Sequence, residues 1–177
     1  MAKPLLSVDA IYDEALQALA TEGASGLTVR NLAARLRCST KTLYQQVGNR
    51  DAFVRGVVAR AFASIEFDFS TEASWEDVVR TWCLALRNVL IERPDLCSLM
   101  TTADRGSLIS YATRLVRVLQ GRGFSEVDAI RACGILAHVT ASMTITDMAA
   151  PGQWDDPAVF DTTIDWLIQG MSGALTS

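Results

Sequence analysis

The residues best suited to chemistry in this 177-residue chain are basic side chains gathered in one segment. Residues 28–60 hold seven lysines and arginines against Asp51 alone, a net charge of +6, whereas the whole chain carries −4. A polyanion would therefore be attracted to this segment and repelled by most of the remaining surface. A charge cluster can also be a solvated helix face, so the residue pattern around it has to decide.

Side chains typical of catalytic centres are few. The single histidine, His138, excludes HExxH and any site with several histidine ligands, and neither a Walker loop nor a GxSxG motif occurs. The four cysteines, Cys38, Cys83, Cys97 and Cys133, form no CxxC pair, which is typical of buried thiols in a reducing compartment. We therefore expect no metal, no cofactor and no enzymatic activity. A hydrolase built on Cys83 or Cys133 with His138 is the enzyme alternative.

Capping residues and apolar spacing predict an all-α protein, with no alternating strand pattern and no internal repeat. Helices are expected to begin at Ser7, Thr28, Ser39, Asn49, Ser74, Ser125 and Asp156. Two of these helices are short and separated only by a turn at Arg37 and Cys38, and the second of them spans 40–47. A capped helix, a tight turn and a second capped helix with polar residues at its start describe a helix-turn-helix.

Three stretches of this segment resemble the DNA-binding domain of TetR-family transcriptional regulators. They are Leu27–Ala33, Cys38–Tyr44 and Val47–Phe53. The most specific feature is the triplet Thr42-Leu43-Tyr44, followed six residues after the tyrosine by Arg50. The resemblance covers roughly residues 7–60, and it implies a three-helix DNA-binding domain at 1–49 and a helical ligand-binding and dimerisation domain at 50–177.

The resemblance also implies which side chains contact DNA. Glutamine can pair with adenine, lysine can donate to guanine, and threonine methyl groups can pack on thymine. The residues expected to face base edges are Thr40, Lys41, Thr42, Gln45 and Gln46. Tyr44 and Arg50 match the family's phosphate anchors, Arg30 matches a base or phosphate contact, and the helix start at Ser39 offers backbone N–H groups to phosphate.

One departure from the family lies in the turn. Glycine is usual there because the backbone adopts a left-handed conformation, and this chain has Arg37 at that position. A residue with a Cβ in that conformation costs about 1 kcal/mol relative to glycine. We expect this cost unless the turn has a different geometry.

The resemblance implies a homodimeric repressor of a palindromic DNA operator. A small ligand in the C-terminal core would shift the fourth helix, change the spacing of the two DNA-binding heads and release the operator. No basic cluster lines the expected cavity, so the effector should be apolar or aromatic, and neutral or weakly polar. The expected ligand-binding residues are Trp82, Leu86, Met100, Tyr111, His138 and Thr144. Each could instead be a core residue, and a backbone carbonyl could satisfy His138.

The last two helices are the expected dimer interface. A two-turn recognition helix reads only a few base pairs, so specificity requires two heads on half-sites about 34 to 36 Å apart. An apolar stripe on the last helix and small residues on both helices would permit close packing, although the stripe could instead complete the protomer core. The expected interface residues are Gly134, Ala137, Ala141, Phe160, Ile164, Leu167, Gly170 and Met171.

The cellular location expected from the sequence is the cytoplasm. No targeting signal is evident at the start of the sequence, and the longest uncharged run, Ala132–Thr146, contains polar residues and is short for a membrane span. Two other functions stay open. One is a transcriptional activator of the same architecture. The other is a helical enzyme or ligand carrier in which the basic segment is incidental.

Overall fold

The structure, a computed structural model, describes residues 7–65, 73–99, 105–150, 152, 156 and 158–173, with only the backbone described at 97–98 and 105–110. Within these ranges the regular elements are all helical and no strand occurs, which confirms the all-α prediction. The α-helices are α1 Val8–Glu22, α2 Val29–Arg35, α3 Thr40–Val47, α4 Arg50–Ala63, α5 Trp75–Glu92, α6 Pro94–Leu99, α7 Arg105–Gly121, α8 Glu126–Ala149 and α9 Ala158–Ser172.

Side-chain caps start the helices where the sequence predicts them. A hydroxyl accepts a hydrogen bond from the N–H three residues further on at Ser7, Thr28, Ser39, Ser74 and Ser125. The Asn49 side chain accepts from the Ala52 N–H at 2.8 Å, and Asp156 accepts from the Ala158 N–H at 2.9 Å. Each cap satisfies one of the N–H groups that a helix start leaves unpaired, and contributes about 1 kcal/mol to stability.

The segment after α1 winds into a short 3-10 helix, Gly23–Leu27. Gly23 ends α1 with a φ of 65°, which glycine adopts without strain. A Cβ at Gly26 would lie 2.6 Å from the Ala18 carbonyl oxygen. Glycine at this position therefore lets the 3-10 helix pack directly on the backbone of α1.

The chain divides into two compact units. The first comprises Met1–Ser64 and Asp95–Ser107, and the second comprises Ile65–Pro94 and Leu108–Ser177. By these contacts α4 belongs with α1, α2 and α3, whereas the sequence-based boundary places residue 50 at the start of the second domain. The functional boundary between the domains stays a prediction.

The first unit is a small helical bundle in which α1 contacts α2, α3 and α4. Its core holds fully buried side chains from all four helices, including Ile11, Leu32, Leu43, Phe53 and Val57. Apolar positions at helical spacing therefore turn inward, and the polar residues of α3 are left outside.

In the second unit, α5 packs mainly on α8, and α9 contacts both. Arg87 joins these three helices. Its guanidinium donates to Asp147 of α8 at 3.0 Å and lies over the ring of Phe160 of α9, 4.4 Å from the ring centre. A second ion pair, Arg80 with Asp165 at 2.9 Å, also links α5 to α9. These contacts set which face of α9 is turned toward the core.

Candidate functional site

The helix α3, which the sequence predicts to be a recognition helix, separates its apolar and polar residues cleanly. Leu43 and Val47 are buried against the bundle, whereas Thr40, Lys41, Gln45 and Gln46 are exposed. Glutamine, lysine and threonine on an exposed helical face supply the donors, acceptors and methyl groups that read base edges in a major groove. The side chains expected to contact bases therefore lie on the accessible side of the helix, apart from the half-buried Thr42.

Ser39 and Thr42 have a local role at the start of α3. The Ser39 hydroxyl accepts from the Thr42 N–H at 3.0 Å and shares a hydrogen bond with the Thr42 hydroxyl at 2.8 Å. Ser39 itself is exposed. These bonds fix the first turn of the helix, so the exposed side chains project from a rigid element.

The three expected anchors for the phosphate backbone are exposed at different places in the first unit. Arg30 lies in the first turn of α2, Tyr44 in the middle of α3, and Arg50 at the first residue of α4. Tyr44 keeps 39% of its surface accessible although its neighbour Leu43 is fully buried. A phenol hydroxyl and two guanidinium groups are the kinds of donor that hold DNA phosphates.

Two other basic residues of this segment form ion pairs within the first unit that the sequence alone did not reveal. Arg35 donates to Glu14 at 2.5 Å and to Glu22 at 2.6 Å, and these bonds raise the pKa of its guanidinium. Arg60 donates to both carboxylate oxygens of Asp13, at 2.7 and 3.0 Å. The acidic residues of α1 indicate that such pairs can form, but the sequence does not show which arginines form them.

The effect of these pairs is to reduce the charge available to a partner. Arg30, Lys41, Arg50 and Arg55 have no ion-pair partner among the described residues. The accessible positive charge of this segment therefore includes exposed residues of α2, α3 and α4, while Arg35 and Arg60 tie α2 and α4 to α1.

The turn between α2 and α3 has the left-handed geometry in which the family uses glycine. Arg37 has a φ of 51°. Its N–H donates to the Ala34 carbonyl at 3.1 Å, and the Cys38 N–H donates to the Ala33 carbonyl at 2.9 Å. The turn therefore keeps the expected geometry with an arginine in the strained position.

Four of the expected ligand-binding residues lie buried in the second unit. Trp82 and Tyr111 stack with ring centres 4.6 Å apart, and the Tyr111 hydroxyl donates to the Trp82 carbonyl at 2.8 Å. Leu86 is fully buried one turn after Trp82. Thr144 is also buried, and its hydroxyl donates to the Thr140 carbonyl at 2.7 Å. The indole N–H of Trp82 is buried with no acceptor among the described residues.

Two of the expected ligand residues do not join this cluster. The side chain of His138 is exposed, and its Nδ1 lies 2.7 Å from the Gly134 carbonyl oxygen, a distance at which the ring N–H donates. The placement of His138 in the cavity was wrong, because its position on α8 faces away from the core while Thr140 and Thr144 face inward. Met100 lies outside the described residues.

The two cysteine thiols buried beside this cluster, Cys83 and Cys133, are poorly reactive at neutral pH. Burial raises the pKa of Cys83 to about 11 and that of Cys133 to about 12, and the Cys133 thiol donates to the Ala112 carbonyl at 3.3 Å. A thiol that stays protonated at neutral pH is a poor nucleophile and a poor metal ligand. Within the part of the chain that the structure describes, no cluster of metal-ligating side chains occurs.

The expected interface residues are divided between the core and the surface. Phe160 and Ile164 are only 4% and 3% exposed, so they belong to the protomer's own core and not to a surface that a partner could cover. The prediction that these two residues face a partner was wrong, because Arg87 and α5 hold this face of α9 against the protomer's own core. Leu167, Met171, Ala137 and Ala141 are half-buried, and Gly134 and Gly170 are exposed.

Larger apolar side chains lie exposed on the same two helices. On α8 these are Val127, Ile130, Ile135 and Ile145, and on α9 they include Trp166, with 69% of its surface accessible. A groove of about 280 Å³ runs between the helices, with Phe124 and Leu136 in its lining and Trp166, Leu167 and Met171 along α9. These exposed residues carried no signal of their own in the sequence, because helical spacing does not show which face is covered.

The helix α8 is also long and apolar enough, by length and composition, to cross a membrane. Of the 18 consecutive residues that form its most apolar stretch, 33% are buried inside the protein. Its inward residues, among them Leu136, Thr140 and Thr144, pack in the second unit. A core helix of a water-soluble protein passes the same test, so this helix is weak evidence for a membrane span.

Relatives in sequence are transcriptional regulators. The chain is 26% identical over 154 residues to an HTH-type transcriptional regulator of Saccharopolyspora erythraea, covering 86% of this chain and 64% of that protein. It is 28% identical over 170 residues to the class D tetracycline repressor of Escherichia coli, covering 93% of this chain and 77% of the repressor. The chain thus spans less than two thirds of the length of the first regulator. No protein-family model matches it.

Solved structures with the same fold include complexes with small molecules and with DNA. A TetR variant from Acinetobacter baumannii AYE in complex with minocycline has a TM-score of 0.77 at 23% identity, covering 97% of this chain and 99% of that one. Streptomyces coelicolor ActR in complex with actinorhodin has a TM-score of 0.75 at 19% identity, covering 97% and 98%. BioQ with its double-stranded DNA operator has a TM-score of 0.70 at 18% identity, covering 92% and 96%. The chain therefore resembles TetR-class repressors in sequence along most of its length and shares the all-helical TetR-family fold, which confirms the similarity indicated by its helix-turn-helix residues.

Proposed function

We propose that this protein is a ligand-responsive transcriptional repressor that binds a palindromic DNA operator as a homodimer. The observation that carries the proposal is the exposed face of α3, where Thr40, Lys41, Gln45 and Gln46 project from a helix whose other face is buried. These residue types read base edges in the major groove.

Phosphate anchoring is proposed for the residues around that helix. Arg30, Tyr44 and Arg50 are exposed and come from three successive helices, of which α2 and α4 are held to α1 by the ion pairs of Arg35 and Arg60. Contacts to phosphate fix the register of a protein on DNA, and contacts to bases choose the sequence. Thr42 and Ser39 would act by ordering the first turn of α3 and presenting backbone N–H groups to phosphate.

A second copy of the chain is the partner proposed for the exposed apolar face of α8 and α9. One recognition helix of two turns covers only a few base pairs, so an operator of useful specificity needs two protomers related by a twofold axis. Exposed isoleucines on α8 and Trp166 on α9 would be stabilised by burial against an identical surface. Gly134 and Gly170 leave open space where a partner helix could approach closely.

A neutral, largely aromatic effector is proposed for the second unit. Trp82, Leu86 and Tyr111 offer apolar and aromatic surface, and the Trp82 indole N–H could donate to an acceptor on the ligand. The minocycline and actinorhodin complexes of two proteins with this fold support a polycyclic ligand class. An effector that prefers the DNA-incompetent conformer would lower operator affinity through that preference alone.

A gel shift with DNA from upstream of the gene tests the proposal. Wild-type protein should retard this duplex more strongly than a shuffled duplex of the same composition, with an affinity that falls steeply as salt is raised. Arg50→Ala should weaken the shift, whereas Arg117→Ala removes an exposed arginine of α7 and should not. Equal retardation of specific and shuffled duplexes by wild-type and both variants would contradict the proposal. Transcription from the same upstream region in the presence of the protein would then separate repression from activation.

A further inference from the structure

His138, the single histidine of the chain, lies at the middle of α8 on the side that the protein leaves uncovered. Residues three, four and seven positions apart share one face of an α-helix. At these spacings from His138 lie Gly134, Ile135 and Ile145, and all three are exposed. Leu136 and other inward residues of the same helix pack in the second unit. The histidine is therefore central to the exposed apolar surface of α8.

One hydrogen bond determines which ring nitrogen of His138 can change its protonation. Nδ1 lies 2.7 Å from the Gly134 carbonyl oxygen. A carbonyl oxygen only accepts hydrogen bonds, so Nδ1 carries a hydrogen in the neutral ring as well as in the charged one. The proton that binds at lower pH therefore goes to Nε2, which makes no hydrogen bond to the described part of the chain. Protonation replaces a lone pair on this surface with a charged N–H group.

The charged groups on the elements packed against α8 face away from the imidazole ring. α5 covers the inward side of α8, where Arg87 binds Asp147. α7 meets α8 at Cys133, which is also on the inward side. The acidic residues of α9, Asp161 and Asp165, line a groove against α5. The neighbouring helices therefore present no carboxylate that could compensate a charge on the ring.

α8 itself carries one basic residue on the face of His138. Arg131 lies seven positions earlier, about 10 Å along the helix axis. Its guanidinium is 72% exposed and lies 3.6 Å from the Asp128 carboxylate. No ion pair to the imidazole occurs among the described residues. A charge on the ring would thus meet a charge of the same sign on its own helix face, which disfavours the protonated form.

A neutral imidazole can be buried at small cost, whereas a charged group that loses its hydration needs a compensating partner. Building on the proposed function, in which α8 and α9 bind a second copy of the chain, we propose that His138 makes this dimer dependent on pH. The protomers associate while both rings are neutral and separate when the rings are protonated. A twofold interface contains the same residue from each protomer, so two rings contribute for every dimer. Operator binding uses two DNA-binding heads and is lost with the dimer.

Energy transfer between protomers that carry donor and acceptor dyes at the N-terminus tests the proposal with the full chain. Dilution from micromolar to nanomolar concentration gives the dimer Kd, and the rate of exchange on mixing reports dissociation when the dimer persists on dilution. Measurements run from about pH 8.0 to about pH 5.5 at constant ionic strength, where ordinary carboxyl groups stay largely ionised. The buried thiols of Cys83 and Cys133, with pKa values of about 11 and about 12, stay protonated.

Three variants separate the charge of the ring from its presence. His138→Gln keeps a side-chain donor and is neutral at every pH. His138→Lys carries a positive charge throughout the range. Gln120→Lys adds the same charge at an exposed position of α7 and is the matched control. Because residue 138 is exposed in the protomer, circular dichroism spectra and urea midpoints of diluted monomer should stay close to wild type in all three.

The wild-type Kd should rise roughly 100-fold between the two ends of the pH range, because a free imidazole has a pKa of about 6.5 and each dissociating dimer takes up two protons. Exchange on mixing should accelerate in the same direction. His138→Gln should change its Kd by less than about threefold over this range, and its Kd at the upper end should match that of the wild type. His138→Lys should be a weak dimer at every pH. Gln120→Lys should follow the wild type.

Four results would overturn this inference. A wild-type Kd and exchange rate that do not change with pH would refute it, and so would the wild-type pH dependence in His138→Gln. A His138→Lys dimer as strong as the wild type at about pH 8.0 would place the ring outside the interface. Wild-type monomers at every pH would refute the homodimer of the proposed function itself, whereas the other three results leave that dimer standing.

Discussion

The phenol ring of Tyr12 on α1 lies against Gly56 on α4, so closely that a Cβ added at Gly56 would overlap the ring. The same ring lies near Phe53, with the two ring centres 6.4 Å apart. Glycine inside a helix is unfavourable by itself, so its presence here reflects the close approach of α1 and α4. This contact sets how α4 packs on the bundle that positions the recognition helix.

Gly56→Ala should therefore destabilise the protein even though alanine is the better helix former. Overpacking of this kind costs about 1 to 3 kcal/mol, seen as a lower urea midpoint in denaturation followed by circular dichroism. Gly121→Ala is the matched control, since a Cβ at that helical glycine meets nothing within 4 Å. It should leave stability unchanged or raise it by up to about 1 kcal/mol. The double variant Tyr12→Ala/Gly56→Ala should lose less than the sum of the two single losses. Wild-type stability in Gly56→Ala would contradict the packing described.

Substitutions on the DNA surface should separate sequence preference from general affinity. Lys41→Ala and Gln45→Ala should relax the preference at particular base pairs by about 1 to 3 kcal/mol for each lost bidentate contact. Tyr44→Phe and Arg50→Ala should weaken binding to all sequences alike and lower its salt dependence. Competition binding against operators altered one base pair at a time measures both effects. If Arg50→Ala binds duplex DNA like the wild type, its phosphate role is wrong.

The ion pair between Arg60 and Asp13 should make stability fall at acid pH. The hydrogen bond from Arg60 holds the pKa of the Asp13 carboxyl below its ordinary range. In the unfolded chain the Asp carboxyl, with a pKa of about 3.9, binds a proton more readily than Asp13 does in the folded protein. The ion pair therefore contributes fully to the free energy of unfolding above that pH, and this contribution is lost as the pH falls through the lower pKa of the folded state. Urea midpoints measured from neutral pH downward should therefore fall less steeply in Arg60→Gln than in wild type. An identical acid dependence in Arg60→Gln would show that the pair does not contribute, and Arg117→Gln controls for the lost charge.

A stabilising effector should raise Tm and lower operator affinity together, since both follow from its preference for one conformer. Minocycline and neutral polycyclic aromatic compounds are the probes, screened by thermal shift and then by gel shift. For an active compound, Trp82→Phe and Tyr111→Phe should weaken both responses by removing the N–H and hydroxyl of the stacked pair. His138→Ala should leave both responses intact because His138 is exposed. Responses unchanged in Trp82→Phe and Tyr111→Phe would place the effector elsewhere.

Dimerisation should depend on the outward face of α9. Trp166→Asp places a charge at the most exposed apolar side chain of α9 and should give monomers by light scattering, with a large loss of operator affinity. Leu167→Glu, in the lining of the α8–α9 groove, should also yield monomers. Asp161→Asn changes one charge at an exposed position on another side of α9 and is the control for a general effect on the helix. A dimer that persists in Trp166→Asp would move the interface to another surface.

The helix caps and turns of this protein could be predicted from the sequence, because they depend on interactions between residues that are close together in the chain. Each cap and the N–H that it accepts from are two or three residues apart, as at Ser39 with Thr42 and Asn49 with Ala52. The left-handed turn at Arg37 is likewise set by its position between two short helices. The helix-turn-helix and its exposed polar face could therefore be predicted, since spacing alone separates Leu43 and Val47 from the residues between them.

Tertiary structure decided which charged side chains and which helix faces are accessible to a binding partner. Arg35 and Arg60 resemble Arg30 and Arg50 in the sequence, but their partners Glu14 and Asp13 lie 21 and 47 residues away, and only folding brings each pair together. The apolar residues of α9 show the same limit. Phe160 and Ile164 turn inward and Trp166 turns outward, because the packing of α5 and α8 fixes the rotation of α9 about its axis. Periodicity shows that a helix has an apolar face, and only the neighbouring helices determine where that face points.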